Sequence, residues 1–295
     1  MANTRILAHE FEFIAPKSVA EVLDLLRRHG SRAKLMAGGT DLVVLMKMEK
    51  VAPEVIIHLA GIKELDYIRD EGGLRVGAGA KLSKIRAHCE RDKRYLALYD
   101  AISSLGKPQV WNMGTMAGNL CTASPAADTA PPLLVYNGRV KLVSGSGERT
   151  LGLDAFFIGV NRTALAEGEL LVEIQTDGVS ERTGSAFMKM ARVGADISKI
   201  TCAVAVERDG SRCVSCRIAF GAVAPVPMRA KAAEALVRGA EVDEALLEKA
   251  GRQAAQEIKP IDDVRSTAEY RRDVARTLFK EVFSRAWARA EGEGT

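Results

Sequence analysis

The chain has 295 residues, 47% of them apolar and 27% charged, an ordinary globular composition at a length that exceeds one small core and fits two domains. Lys plus Arg number 42 and Asp plus Glu 38, a net charge of +4. These charges are interspersed, whereas a nucleic-acid surface would show clustered Lys and Arg, so no nucleic-acid partner is expected. The five cysteines, Cys89, Cys121, Cys202, Cys213 and Cys216, are odd in number and scattered, which does not make a disulfide framework. The opening MANTRILAHEFEF lacks the apolar core of a secretory signal. No apolar run reaches the roughly 18 residues of a membrane span. The expectation is a cytoplasmic protein with no membrane span.

In chain order, SVAEVLDLLRRHG (18–30) reads as a helix, with Ser18 and Glu21 as a capping box, Val22, Leu25 and Leu26 as its apolar stripe and Gly30 as its stop. AKLMA reads as a buried strand, 41–48 as a helix with Leu42, Leu45 and Met46 inward, and VIIHL (55–59) as another buried strand. Residues 61–110 alternate short strands with the helical stretches SKIRAHCERD and YLALYDAISSLG. RVKLVSG (139–145) and ELLVEIQT (169–176) read as strands. After about residue 177 the pattern changes. SAFMKMA, ITCAVAVERDG and RCVSCRIAFGAVA read as three strands, the last two joined at an Asp-Gly turn. Helices follow at 230–238, at 243–256 and from Ser266, where Ser266 and Glu269 repeat the capping box and Tyr270, Val274, Leu278, Val282 and Ala286 recur every four residues. A sheet followed by helices implies a separate α+β domain. The expected division is therefore 1–176, with subdomains at 1–60 and 61–176, then 177–290, with a disordered tail at 291–295.

Two glycine stretches carry the chemistry. AGGTD (37–41) lies at a strand-to-helix turn, and NMGTMAGNLCTASPAADTAPPLL (112–134) holds Gly114, Thr115, Gly118 and Asn119 within six residues, followed by Asp128. Small residues leave backbone N–H groups open to an approaching anion, and diphosphate oxygens take such donors best where no Cβ intervenes. Asp128 supplies an acceptor suited to sugar or ribityl hydroxyls. Each stretch alone reads more readily as a plain turn; two in one chain favour shared ligand binding. A carboxylate at Asp41 would repel a diphosphate, so Asp41 is read as the cap of the following helix.

Other motifs carry less. GAGAKL (77–82) begins like a dinucleotide fingerprint but has Leu82 where the third glycine belongs. Cys213 and Cys216 form a Cys-x-x-Cys within a strand, where residues three apart point to opposite faces, and no second pair exists, so no metal site is expected. The four histidines have no ligand-like spacing. No catalytic side chain is assigned.

KLMAGGTDL and GTMAGNLCTASPAADTAPPLL, in this order and spacing, resemble the two FAD-contacting segments of the flavoprotein subunit of the molybdenum hydroxylases, the family of xanthine dehydrogenase and carbon monoxide dehydrogenase. FFIGVNRTALAEGELLVEIQ (156–175), FMKMARVGADISKI (187–200), GAVAPVPMRA (221–230) and YRRDVARTLF (270–279) extend the likeness over nearly the whole chain. The resemblance implies a vanillyl-alcohol-oxidase-type FAD-binding domain of two α/β subdomains, followed by a C-terminal α+β domain with a three-stranded sheet plus helices. It implies FAD held by Leu35, Met36, Ala37, Gly38, Gly39, Thr40, Asp41 and Leu42 in the first segment, with Gly38, Gly39 and Thr40 at the phosphates. In the second segment it implies Gly114, Thr115, Ala117, Gly118 and Asn119, with Asp128, Leu165 and Lys189 near the cofactor. Ala117 replaces a glycine common in the family and requires a negative φ.

The resemblance further implies two partner subunits, a small one with [2Fe–2S] clusters and a large one with the molybdenum cofactor, assembled as a dimer of heterotrimers. Electrons from the [2Fe–2S] subunit reach the FAD held by this chain and pass to an acceptor such as NAD+. Cys121 runs directly into TASPAAD without the cysteine-rich insertion of one branch, so no [4Fe–4S] cluster is expected in this chain. A self-contained flavin oxidase on the same fold and a cofactor-free scaffold subunit are the competing readings.

Overall fold

The structure, a computed structural model, describes residues 7–291. Of the expected tail at 291–295, residues 292–295 lie outside the described residues. The chain begins with β1 (Glu12–Ile14), α1 (Val19–His29), β2 (Ala33–Met36), α2 (Leu42–Lys47) and β3 (Val55–His58). The strands pair in parallel in the order β1-β3-β2. Helix α1 forms as its sequence dictates: Ser18 Oγ accepts from the Glu21 N–H at 3.2 Å, and the Glu21 carboxylate reaches back to the Lys17 N–H at 2.7 Å. Val22, Leu25 and Leu26 are buried. Helix α2 is shorter than its apolar run, and of the three side chains expected inward only Met46 is fully buried. Leu42 and Leu45 are half-exposed.

The second unit contains β4 (Ile68–Asp70), β5 (Leu74–Gly77), α3 (Leu82–Arg91), α4 (Leu96–Ser104), α5 (Pro108–Met113), α6 (Met116–Thr122), α7 (Ala130–Val135), β6 (Arg139–Ser144), β7 (Gly147–Gly152), α8 (Leu153–Phe156), β8 (Phe157–Gly159), β9 (Arg162–Thr163) and β10 (Leu170–Gln175). Its main sheet runs in the order β4-β5-β10-β6-β7, every neighbouring pair antiparallel. The second glycine stretch, read as an open turn, is mostly helical: α5 and α6 are joined end to end at Gly114–Thr115. Pro108 at the first turn of α5 and Thr115 as the N-cap of α6 favour this; Thr115 Oγ1 accepts from the Gly118 N–H at 3.0 Å.

The third unit contains β11 (Thr183–Met190), β12 (Ile200–Asp209), β13 (Arg212–Gly221), β14 (Met228–Arg229), α9 (Lys231–Val237), α10 (Glu244–Glu257) and α11 (Ala268–Ala290). The sheet order β11-β12-β13-β14 has one strand more than expected. The extra strand is two residues long and is pinned by Arg229, which forks onto the buried Glu234 carboxylate at 2.8 and 2.6 Å. Glu234 in turn accepts from the Ile218 N–H of β13 at 2.9 Å.

Strand β12 is buried on both faces. Its odd residues Ala203 and Ala205 join the core of the first 176 residues, and its even residues Cys202, Val204 and Val206 join a second core beneath α9, α10 and α11. The alanines leave room for α4 and α7 to lie directly on the sheet. A bidentate ion pair closes the same seam: Arg289 of α11 meets Asp100 of α4 at 2.6 and 3.1 Å and also donates to the Ser185 carbonyl of β11 at 2.8 Å.

The structure departs from the sequence expectation at two places, the Cys-x-x-Cys run and the start of α11. Cys213 and Cys216 do not face opposite ways; both are buried in the second core. A β-bulge shifts the register between Glu207 and Arg208, pairing Arg208 with Cys213 and Glu207 with Ser215, so Val214 is the extra residue and the alternation slips by one. The cap of α11 is Thr267, whose hydroxyl accepts from the Tyr270 N–H at 3.2 Å. Ser266 is instead engaged in a tight turn with Asp263. The stripe of α11 is also redrawn at its start, where Arg271 and Ala275 are buried and Tyr270 is exposed, while Leu278, Val282 and Ala286 are buried as expected. A strict spacing of four advances about 40° per step around a helix of about 3.6 residues per turn, so five such positions cannot share one narrow face.

Candidate cofactor site

The first glycine segment sits at the C-terminal end of β2, the end of a parallel sheet where ligands gather in open α/β folds. Gly39 has φ +73°, a left-handed conformation that costs any residue with a Cβ roughly 1–2 kcal/mol. Gly38 is constrained differently. A Cβ there would overlap the Met113 carbonyl oxygen and stand 2.6 Å from its carbon and 2.8 Å from Gly114 Cα. The two glycine segments therefore touch backbone to backbone, with the α5–α6 junction pressed against the β2–α2 loop.

A second contact reinforces the first. The Thr122 hydroxyl, at the end of α6, donates to the Asp41 carboxylate at 2.7 Å. Asp41 occupies the N-cap position of α2 but makes no capping hydrogen bond. Its expected capping role is thus replaced by a bridge from the first segment to the second. Among the described residues, none of the backbone N–H groups from Gly38 to Asp41 donates to a protein acceptor. They form a row of free donors beside the seam.

Leu35 and Met36 end β2, and Leu42 opens α2, all half-buried. Ala117 lies inside α6 and is absent from the positive-φ residues, so its methyl is accommodated; it is buried in the first core. Asn119 accepts from the Thr129 hydroxyl at 2.6 Å, tying α6 to the segment that carries Asp128. Lys189 of β11 meets Asp128 Oδ2 at 2.7 Å, both side chains 7% exposed, and the ammonium also approaches the Ser104 carbonyl at 3.3 Å. Asp128 Oδ1 is buried without a partner among the described residues. Burial pushes the Asp128 carboxyl up to about 6 against the pull of Lys189. Leu165 follows β9, half-buried against the first core, with its N–H on Thr163 Oγ1 at 3.4 Å. Among the described residues, no hydrogen bond joins it to the Asp128–Lys189 pair.

The sequence reading missed Met113, Thr122 and Lys81, whereas His58 is packed as its place on an apolar strand implies. Met113 fixes the seam through its carbonyl, and no side-chain signal announces that. Thr122 lies in the stretch already singled out, but its partner across the chain is visible only in three dimensions. His58, at the end of β3 opposite Met36, packs its ring 5.2 Å from Phe13; burial first, and then the charge of Lys81, holds its imidazole below the ordinary range.

Residues 9–176 match the family described as the FAD binding domain in molybdopterin dehydrogenase, and residues 185–286 match the CO dehydrogenase flavoprotein C-terminal domain. The chain belongs to this flavoprotein family. It is 32% identical to the carbon monoxide dehydrogenase medium chain of Hydrogenophaga pseudoflava, over 95% of this chain and 98% of that one. It is 31% identical to the xanthine dehydrogenase FAD-binding subunit of Escherichia coli O157:H7, over 94% and 96%. The solved carbon monoxide dehydrogenase of Hydrogenophaga pseudoflava that lacks the Mo-pyranopterin moiety superimposes with a TM-score of 0.92 at 34% identity, covering 96% of this chain and 99% of that chain. The protein is an FAD-binding medium subunit of the molybdenum hydroxylases, an oxidoreductase component. The residues present fit that cofactor: free N–H donors line a seam whose closest approach admits no Cβ, and a buried carboxylate oxygen lacks a donor.

Two outcomes check this geometry. Gly38→Ala forces the segments apart, and an overpacked contact of this kind typically costs about 1–3 kcal/mol. The purified variant is therefore expected to hold FAD roughly tenfold or more weakly than the wild-type chain, as read by flavin absorbance after desalting and by titration with FAD. Unchanged retention contradicts the seam.

The second outcome concerns Asp128. The folded state binds its proton at about 6, whereas an unfolded aspartate titrates at about 4. Folding therefore takes up a proton between these values, and stability rises as pH falls through that window. In the flavin-free chain, wild type should gain stability relative to Asp128→Asn as pH is lowered from about 6 to about 4, measured by urea unfolding. A difference that is flat with pH contradicts the burial of this carboxyl.

Proposed function

We propose that this chain holds FAD between its first two units and serves as the electron outlet of a three-subunit molybdenum hydroxylase. The reading places Leu35 to Leu42 and Gly114 to Asn119 around the diphosphate, with Gly38, Gly39 and Thr40 closest, and Asp128, Leu165 and Lys189 toward the flavin end. The division at 1–60, 61–176 and 177–290 belongs to the same proposal. The partners are a small subunit with [2Fe–2S] clusters and a large subunit with the molybdenum cofactor, arranged as a dimer of heterotrimers. Their electrons leave through this chain to an acceptor such as NAD+. The five free cysteines suit a reducing, cytoplasmic setting.

The observation that carries the reading is the backbone seam between Gly38 and Met113, flanked by unbonded N–H donors. When bound, the flavin supplies redox chemistry that accepts electrons singly and releases them in pairs. The chain's own residues have simpler tasks. The loop from Gly38 to Asp41 offers N–H donors to an anion. Thr122 satisfies the Asp41 carboxylate and so keeps that charge turned to the protein. Lys189 holds Asp128 in place and brings the third unit against the site.

Native purification of the tagged chain from its host tests the proposal. The expected result is a yellow complex with two further chains, containing molybdenum and iron, while the chain purified alone binds FAD but turns over no small substrate. A chain that oxidises a substrate unaided, or that purifies without partners and cannot be loaded with FAD, contradicts it.

A further inference from the structure

Lys81 lies at the start of α3, and its backbone is tied to the second glycine segment. It pairs with Thr115 in an isolated antiparallel bridge, and the next N–H, of Leu82, donates to the Gly114 carbonyl at 3.0 Å. The side chain returns to the same place: Lys81 Nζ donates to the Met113 carbonyl oxygen at 2.9 Å. That oxygen is the atom against which Gly38 packs. The ammonium therefore sits on the seam between the two segments.

Its charge is poorly answered there. Among the described residues Lys81 forms no ion pair. Asp66, the acidic group that acts on it, is already bonded to Lys84 at 2.6 Å. His58 and Lys84 add no negative charge. Partial burial disfavours the charged ammonium and lowers its pKa. An ammonium has three N–H donors, and the Met113 carbonyl takes one. The neighbouring N–H groups from Gly38 to Asp41 are also unused. A half-buried cation without a counter-ion, next to a row of free backbone donors, is the chemistry of a site for a doubly charged anion.

We propose that Lys81 is a binding residue for the diphosphate of the dinucleotide, contributing the cation that the two glycine segments lack. This inference rests on the FAD reading given above.

The test uses the full chain stripped of flavin, as wild type, Lys81→Met and Lys81→Arg, titrated with FAD at low and at moderate salt. Lys81→Met should weaken FAD binding roughly ten- to a hundredfold, the range for a lost hydrogen bond to a charged group, and should flatten the salt dependence. Inorganic pyrophosphate should compete with FAD on the wild type and much less on Lys81→Met. Lys81→Arg should retain most of the affinity. The flavin-free Lys81→Met chain should melt no lower than wild type, because an unanswered charge has been removed. Equal FAD affinity in Lys81→Met overturns the inference. So does a loss of affinity accompanied by a lower melting temperature of the flavin-free variant, which makes Lys81 a clamp on Met113 and nothing more. A wild-type chain that binds no FAD at all refutes the cofactor reading itself and is distinct from both.

Discussion

The closest approach between Gly38 and the Met113 carbonyl is the constraint on which the site depends. A loop at the end of a parallel strand and a junction between two short helices, far apart in the chain, are brought into van der Waals contact because one of them has no side chain at the point of meeting. The glycine does not merely free the backbone; it removes the atom that would keep two polypeptide segments apart. With the segments closed, the N–H groups of Gly38 to Asp41, without protein acceptors among the described residues, lie beside the seam, and the Thr122–Asp41 hydrogen bond ties the two segments a second time. The left-handed Gly39 then sets the direction in which the loop leaves β2.

The third unit is part of this arrangement and not an appendage. Strand β12 gives one face to each core, so the C-terminal sheet belongs to both halves of the chain. Two ion pairs tie it to the rest of the chain, the part-buried Arg289–Asp100 and the more deeply buried Lys189–Asp128. Breaking a buried pair by removing one partner typically costs about 3–5 kcal/mol, so the Lys189–Asp128 contact resists loss of either side chain. The second pair leaves Asp128 Oδ1 buried as an acceptor without a donor among the described residues.

Much of the fold was legible because its local signals agree with its tertiary context. The capping box of α1, its apolar stripe and its glycine stop all point the same way. The Asp209-Gly210 turn between β12 and β13 was equally plain, with Gly210 at φ +57°. What failed did so where tertiary context overrides local pattern. The α5–α6 junction reads as a loop because glycine and small residues dominate it, yet Thr115 caps a helix there. The Cys-x-x-Cys geometry was reversed by one bulged residue, Val214, which no periodicity announces. Within the site, the glycine segments themselves were legible as places of close approach. The role of Asp41 was not, because its partner Thr122 lies 81 positions away. Lys81 was hidden for the same reason: its significance comes from a carbonyl on another helix.

The central claim is that both segments form one binding surface. Amide hydrogen exchange with and without FAD measures this directly. The account predicts that saturating FAD slows exchange at Gly38 to Asp41 and at Thr115 to Gly118 together, at the same flavin concentration, while amides of α10 are unaffected. Protection of only one segment, or of neither, would contradict it.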